Sequence, residues 1–421
     1  MSEAQRQDAY GELISSLAKA NDKRIVLLVM DGVGDCDNAG KGTPLQQART
    51  RNFDALARTS AVGQHVPVAT AVTPGSGPGH LGLFGYDPLV YQVGRGVLSA
   101  LGVEFDLKDG DVAARLNFCT IDKAGNVADR RAGRIPDEEN RRCLAKIRSG
   151  LKPPAGVEVF FETEAEHRAL LVLRGAKLDD DIGDTDPQAV GVPPLSPTRP
   201  PHGESRTAKI VDGLLAQVRK LLADEPKANM LLCRGFAKHP SWPTFAERFK
   251  LKPAAVAGYP MYRGVARLVG MPVVSQPTTA ADVCVEAAKA MADHTFVFAH
   301  FKYTDKAGED GDLAGKIARI EEMDAALPAL LKAEPDVLVV TGDHSTPVSL
   351  KAHSWHPVPV LMKAPYLRGG DPRISPLIGK QFPGYAFDEV SCRAGEIGTI
   401  LAKELVPLAM AHAGKLEKFG A

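Results

Sequence analysis

Several things are missing from this chain, and each absence narrows what it can do. It has no net charge: Lys and Arg together number 51, and so do Asp and Glu. That argues against a dedicated nucleic-acid or membrane-surface binder and leaves room only for a local basic pocket. No apolar run approaches the roughly 20 residues that a bilayer-spanning helix needs. The first stretch, MSEAQRQDAYGELISSLAKA, lacks the basic-then-apolar layout of a secretory signal. The six cysteines, Cys36, Cys119, Cys143, Cys233, Cys284 and Cys392, are scattered and form no CxxC pair. A disulfide framework or a zinc–sulfur site is therefore not expected, and a cytoplasmic location is. Internal repeats, low-complexity tracts and a GxxxxGKS/T phosphate loop are also absent.

What is present is the composition of a soluble globular protein, 44% hydrophobic and 24% charged. At 421 residues the chain is too long for one ordinary core, so about two domains are expected. Tyr10, Leu13, Ile14 and Leu17 recur at helical spacing and predict an amphipathic docking helix. The run 24–30 predicts a strand, 43–61 a helix with Pro44 in its first turn, and 62–72 a short β-like stretch. Residues 80–85 look like the start of a helix after a Gly/Pro turn. From about residue 96 the texture changes: 110–121, 158–162, 169–174 and 229–233 read as strands, 137–149 and 207–223 as helices. Residues 179–204, dense in Pro, Gly and Asp, read as ordered loop. Later, 254–256, 295–301, 337–340 and 358–362 read as strands, and 280–292, 311–332 and 391–405 as helices.

Continuously apolar strands separated by helices predict a parallel sheet buried on both faces. Such sheets carry their sites beyond the carboxyl ends of the strands, where Asp31, His300, Asp343 and His344 fall. A single site needs both ends of the chain together. The expected organisation is therefore a discontinuous core, 1–96 with 241–421, carrying an inserted cap at 97–240. Three consecutive domains are the alternative.

The chemistry concentrates in three segments: DGVGD at 31–35, TPGSGPGH at 73–80 and TGDHSTP at 341–347. Asp31, Asp305, Glu309, Asp343, His344 and His353 mix oxygen and nitrogen donors, which suits Mn²⁺, Mg²⁺, Zn²⁺ or Co²⁺. Two such ions about 4 Å apart can activate a nucleophile and stabilise phosphoryl oxygens. If 304–310 contains a helical turn, Asp305 and Glu309 share a face. Adjacent Asp343 and His344 at a strand end can point apart and serve one metal each. Singly, such an Asp is more often a turn or capping residue and such a His more often structural; the combination is what points to metal-assisted phosphoryl transfer. Ser76 sits among Gly75, Gly77 and Gly79, in a turn that lets a ligand approach closely. A metal would supply the activation its hydroxyl lacks at neutral pH. His80 could orient that turn or protonate a substrate oxygen. Arg130, Arg131, Arg134, Arg234 and Lys238 fit a small anionic substrate, with a solvated surface run as the alternative.

Over nearly all of its length after about residue 22, the chain resembles the archaeal-type cofactor-independent phosphoglycerate mutases of the alkaline phosphatase superfamily. The segments carrying the resemblance are DGVGD, GKGTPLQQARTRNFDALA, PGSGPGHLGLFGYDP, YQVGRG, DVAARLNFCTID, DRRAGRIP, EHRALLVLRG, DTDP, HFKYTDKAGEDGD and TGDHSTPVSLKAHSWHPVPV. The resemblance implies an α/β, alkaline-phosphatase-like core with a mostly parallel sheet, plus an inserted α+β cap. It implies interconversion of 3- and 2-phosphoglycerate, an isomerase of glycolysis and gluconeogenesis, without 2,3-bisphosphoglycerate. By matching position, Asp31, Ser76, Asp343 and His344 would hold one divalent metal. Asp305, residue 309 and His353 would hold the other. Ser76 would be the nucleophile that becomes phosphoserine. The arginines of DRRAGRIP and RGFAK, with Lys238 and Lys302, would bind the substrate, and cap closure would exclude water.

Seven positions depart from the family pattern. Glu309 stands where the family has His, which favours harder ions, Mn²⁺ or Mg²⁺ over Zn²⁺ or Co²⁺. Gly77-Pro78-Gly79 replaces Asp-Thr-Ala after the nucleophile. Gln188 stands for His, Thr73 for Arg, and His356 for Asp or Asn. A homoserine-kinase-like phosphotransferase, a phosphomonoesterase and a non-catalytic relative are the competing functions.

Overall fold

The structure, a computed structural model, describes residues 8–37, 40–198, 205–365, 367 and 386–420. The end of the loop expected at 179–204 lies outside these residues from 199 onward. The chain divides into two compact units, Met1–Gln92 with Pro243–Ala421, and Val93–Trp242.

The larger unit is built on an eight-stranded sheet. In spatial order its strands are Gly398–Leu401, Ala61–Val66, Val358–Lys363, Val337–Thr341, Ile25–Met30, Phe296–Phe301, Pro253–Ala257 and Val273–Ser275. Only Val358–Lys363 runs against the rest. The central strands read IVLLVM, FVFAHF and VLVVT and are buried throughout. Helices therefore cover both faces, as a parallel sheet requires. Ile25–Met30, from the start of the chain, lies between Phe296–Phe301 and Val337–Thr341. The carboxyl ends of these three strands deliver Asp31, Lys302 and Asp343 to one edge. At the N-terminus, helix Ala9–Leu17 is capped by Asp8, whose carboxylate also takes a 2.5 Å hydrogen bond from buried Arg248.

Two expected helices are broken. Residues 43–61 form Pro44–Gln47 and Arg51–Ala57, and Ala61 opens a strand. The break is held from a distance: Asp324 accepts from the backbone N–H of Phe53 at 2.8 Å and of Asn52 at 3.3 Å, and so caps the second piece. Residues 391–405 contain only the end of helix Glu389–Arg393 before the edge strand Gly398–Leu401. Gly398, at φ +69°, turns the chain out of helical geometry so that it can pair with Ala61–Val66.

The smaller unit is α+β. Strand Val112–Ile121 is flanked by Arg168–Gly175 and Met230–Ala237, with Val157–Ala165 outside and short Val127–Asp129 paired at one end. One face carries Leu116, Phe118, Leu171 and Leu173, which pack with Leu144 and Ile147 of helix Asp137–Gly150 and Leu214 and Val218 of helix Arg206–Leu221. The opposite face carries Ala113, Leu170 and Val172 against Ala100 of helix Arg95–Gly102.

Candidate metal centre and anion site

Two groups of ligand atoms form at the carboxyl edge of the large sheet. Asp31, Asp343 and His344 make one, and Asp305, His344 and His353 the other; within each group the atoms lie within 4.8 Å of one another. The groups share His344, whose Nε2 is 3.5 Å from Asp31 Oδ1 and 3.2 Å from Asp343 Oδ2. His353 Nε2 is 3.6 Å from Asp305 Oδ1, and the two imidazoles stack with centroids 3.6 Å apart.

The hydrogen bonds around the histidines fix which nitrogen faces inward. Thr346 Oγ1 donates to Asp305 Oδ1 at 2.7 Å, so toward His344 it is the acceptor and takes the Nδ1–H at 3.0 Å. His353 Nδ1 donates to the carbonyl of Pro74 at 3.0 Å. Both Nε2 lone pairs are thus turned toward the carboxylates, the arrangement that metal-ligating histidines adopt.

Charge and hydrogen bonding say what the centre is short of. Asp31 and Asp343 are fully buried, and both oxygens of Asp31 and Oδ2 of Asp343 make no well-aligned hydrogen bond, only ion-pair approaches from Lys302, His300, His344 and His80. Burial alone would raise the Asp31 carboxyl, but Lys302, His300 and His344 hold it well below its usual range. Burial and Asp31 push Asp343 upward, and His344 and His80 bring it below its ordinary value. Burial lowers His344, leaving the neutral imidazole that a metal needs. Buried carboxylates with poorly satisfied oxygens beside the neutral His344 imidazole fit divalent cations.

Ser76 opens helix Ser76–Leu83, with its Oγ 3.3 Å from His344 Nε2. Its place at a helix N-terminus favours an incoming anion. His80, one turn on, is wholly buried among Phe84, Tyr262, Phe298 and His300. Its Nδ1 faces the Ser76 carbonyl at 2.8 Å and Asp343 Oδ2 at 3.1 Å. Of the two roles expected for it, orienting the turn of Ser76 or protonating a substrate oxygen, the contact with the Ser76 carbonyl is the geometry that the first would use. Lys302, expected to bind substrate, lies between the two acids, in hydrogen-bond contact with Asp305 and 3.3 Å from Asp31. Glu309 stands at the rim, 47% exposed and 4.0 Å from His353 Nε2, outside both groups. His300, Nε2 3.4 Å from Asp31 Oδ2 and stacked on Tyr262, belongs to the surroundings of the centre. The HFK run at the end of a strand was its signal.

The smaller unit has a second concentration of charge. Arg130 is taken by a bidentate pair with buried Asp186, at 2.9 and 2.8 Å, which Arg234 also approaches at 3.6 Å. Arg131 and Arg134 are exposed. Lys238 gives its backbone N–H to Asp180. Strand register places Arg115 opposite Arg234, and Asn117 opposite Arg168, on the face that carries Ala113 and Leu170. Arg95 joins from the first turn of its helix. Arg95 is exposed at the surface, yet the crowding of protein atoms around its guanidinium lowers it to about 10; Arg115, Arg234 and Arg168 add repulsion and Asp184 opposes it. Burial also pushes neighbouring His167 down to about 3, helped by Arg168, Arg131, Arg115 and Arg134. So many cations around Asp184 and Asp186 make this a candidate anion site. Sequence reading had Arg234 in this set but missed Arg95, Arg115 and Arg168. The motif YQVGRG was a signal for the first.

A family model described as 2,3-bisphosphoglycerate-independent phosphoglycerate mutase matches residues 57–228. A Thermus thermophilus protein named "Probable 2,3-bisphosphoglycerate-independent phosphoglycerate mutase" is 48% identical over 415 residues, 97% of this chain and 99% of that one. The chain belongs to this phosphoglycerate mutase family. A relative of the same name from Aquifex aeolicus is 45% identical over 418 residues, 97% of this chain and all of that protein. Among solved structures, the cofactor-independent phosphoglycerate mutase of Thermoplasma acidophilum is similar at 32% identity and TM-score 0.65, covering 93% of this chain and all of that one. A Pyrococcus horikoshii protein is similar at 29% identity and TM-score 0.78, covering 95% and 99%. The resemblance to phosphoglycerate mutases read from the motifs therefore holds, and with it a mixed α/β architecture. Among the described residues no helix is long and apolar enough to cross a membrane.

Proposed function

We propose that this chain interconverts 3-phosphoglycerate and 2-phosphoglycerate through a phosphoserine at Ser76. The observation that carries the reading is the approach of Ser76 Oγ, at a helix N-terminus, to a shared histidine flanked by two carboxylate–imidazole groups. Asp31, Asp343 and His344 would hold one divalent ion, and Asp305 and His353 a second, with Glu309 beside it. Such ions supply Lewis-acid stabilisation of phosphoryl oxygens and ease deprotonation of a hydroxyl.

Ser76 Oγ attacks phosphorus and loses its proton, while the bond to the substrate's 3-oxygen breaks and that oxygen gains one. The bound glycerate then turns. Its 2-hydroxyl attacks the phosphoserine, the bond from phosphorus to Oγ breaks, and Ser76 recovers its hydroxyl. His80 keeps Ser76 in register by holding its carbonyl. Lys302 balances Asp31 and Asp305 and can offer its ammonium to a phosphoryl oxygen. Arg95, Arg115, Arg168 and Arg234 take the substrate's anionic groups, with Arg130 held by its bidentate pair to Asp186.

The test is ³¹P NMR of Mn²⁺-loaded protein with 3-phosphoglycerate and no 2,3-bisphosphoglycerate. The expected result is a growing 2-phosphoglycerate signal that vanishes in Ser76→Ala. Free phosphate alone would indicate a phosphomonoesterase. Turnover retained by Ser76→Ala would reject the phosphoserine route.

A further inference from the structure

Behind the metal centre one buried ammonium group commits all three of its protons to the loops that carry the ligands. Lys316 lies in the first turns of helix Leu313–Leu331, with no part of its side chain reaching solvent. Its Nζ donates to Asp35 Oδ2 at 2.8 Å, to the Gly34 carbonyl at 3.1 Å and to the Thr346 carbonyl at 2.9 Å. Gly34 follows Asp31 by three residues, and Thr346 follows His344 by two. The two loops are also stitched directly, Thr346 N–H to Gly34 O at 3.0 Å. Asp35 Oδ2 accepts from Val348 N–H at 3.1 Å as well.

Local physics opposes a lysine here. A cation near a helix N-terminus works against the helix dipole, and a buried charge is costly unless every donor is satisfied. Where a chain keeps such a residue against its local preferences, function is the usual reason. Lys316 touches none of the candidate ligands, but it holds Thr346, whose hydroxyl fixes Asp305 on one side and the His344 tautomer on the other.

We infer that Lys316 is a positioning residue of the metal centre. It clamps the loop after Met30 to the loop after Thr341, and through Thr346 it sets the spacing between the two ligand groups. The inference rests on the reading of those groups as metal sites.

The test is Mn²⁺ binding by electron paramagnetic resonance and calorimetry for wild type, Lys316→Met, Thr346→Val and the double variant. Circular dichroism serves as the check on folding. Lys316→Met should bind at least one Mn²⁺ ten-fold or more weakly and lose kcat, with KM for 3-phosphoglycerate within two-fold. The double variant should be no worse than the poorer single variant, because both act through Thr346. A folded Lys316→Met with wild-type Mn²⁺ affinity, or losses that simply multiply in the double variant, would overturn the inference. Should Lys316→Met not fold, Thr346→Val decides, and wild-type affinity in it is the overturning result. Wild-type protein that binds no Mn²⁺ would instead reject the metal-site reading, and this inference with it.

Discussion

At the rim of the second ligand group, Glu309 puts a carboxylate 4.0 Å from His353 Nε2, and nearly half of its side chain is in solvent. A carboxylate there favours hard ions, and an imidazole would favour Zn²⁺ or Co²⁺. Glu309→His should therefore raise activity with Zn²⁺ and Co²⁺ relative to Mn²⁺ and Mg²⁺ in metal-stripped, reconstituted protein. An unchanged order across the four ions would remove Glu309 from the ligand set. At this scale the sequence was informative where a residue's chemistry is local: Asp31, Asp343 and His344 stand in short motifs at strand ends, and Ser76 in a glycine-rich turn that opens a helix. It was silent about Thr346, whose role depends on Asp305, 41 positions away. It was silent too about Arg115 and Arg168, which acquire meaning only from antiparallel register.

Helix Tyr303–Asp310 shows how an element, rather than a residue, sets the geometry. It carries Asp305 inward and Glu309 to the rim, and it lies close enough to the 341–347 loop that a Cβ on Gly308 would stand 2.4 Å from the Thr346 carbonyl oxygen. That contact is with backbone and cannot be relieved by a rotamer change. Gly308→Ala should therefore push helix and loop apart and cost about 1–3 kcal/mol, the scale of overpacking. The displacement falls between Asp305 and His344, so Mn²⁺ affinity should drop as well. Urea unfolding of the metal-free protein, paired with Mn²⁺ titration, checks both, and wild-type values in both would show that the helix moves freely. The elements best anticipated from sequence were the uniformly apolar strands, because burial on both faces leaves a plain mark. The two misread stretches, 43–61 and 391–405, are divided by partners remote in sequence, Asp324 for one and the Ala61–Val66 strand for the other. Periodicity in a window cannot register such partners.

For the molecule as a whole, joining the two ends of the chain in one sheet creates an interior where distant charges must coexist. Asp31 and Asp343 demanded that closure, and so the central sheet was legible; the buried cluster behind it was not. There Glu389 accepts a hydrogen bond from Thr43 Oγ1 at 2.5 Å and from the Asp35 backbone N–H at 3.1 Å, beside the Lys316–Asp35 pair. One ammonium faces two acids. Burial raises Glu389 from 4.5 to about 7, against the opposing pull of Thr43 and Lys316. In the unfolded chain the group ionises near 4.5, so between these values the folded state holds the extra proton. Stability must then fall as pH rises from about 4.5 through 7, by up to about 3 kcal/mol from this group. Glu389→Gln mimics the protonated acid, accepting from Asp35 and donating to Thr43, and has nothing to titrate. The variant should match wild type near pH 4.5 and gain on it steadily up to about pH 8, read as the difference in urea midpoints of the metal-free proteins. A difference that stays constant across that range would mean that Glu389 does not change charge there.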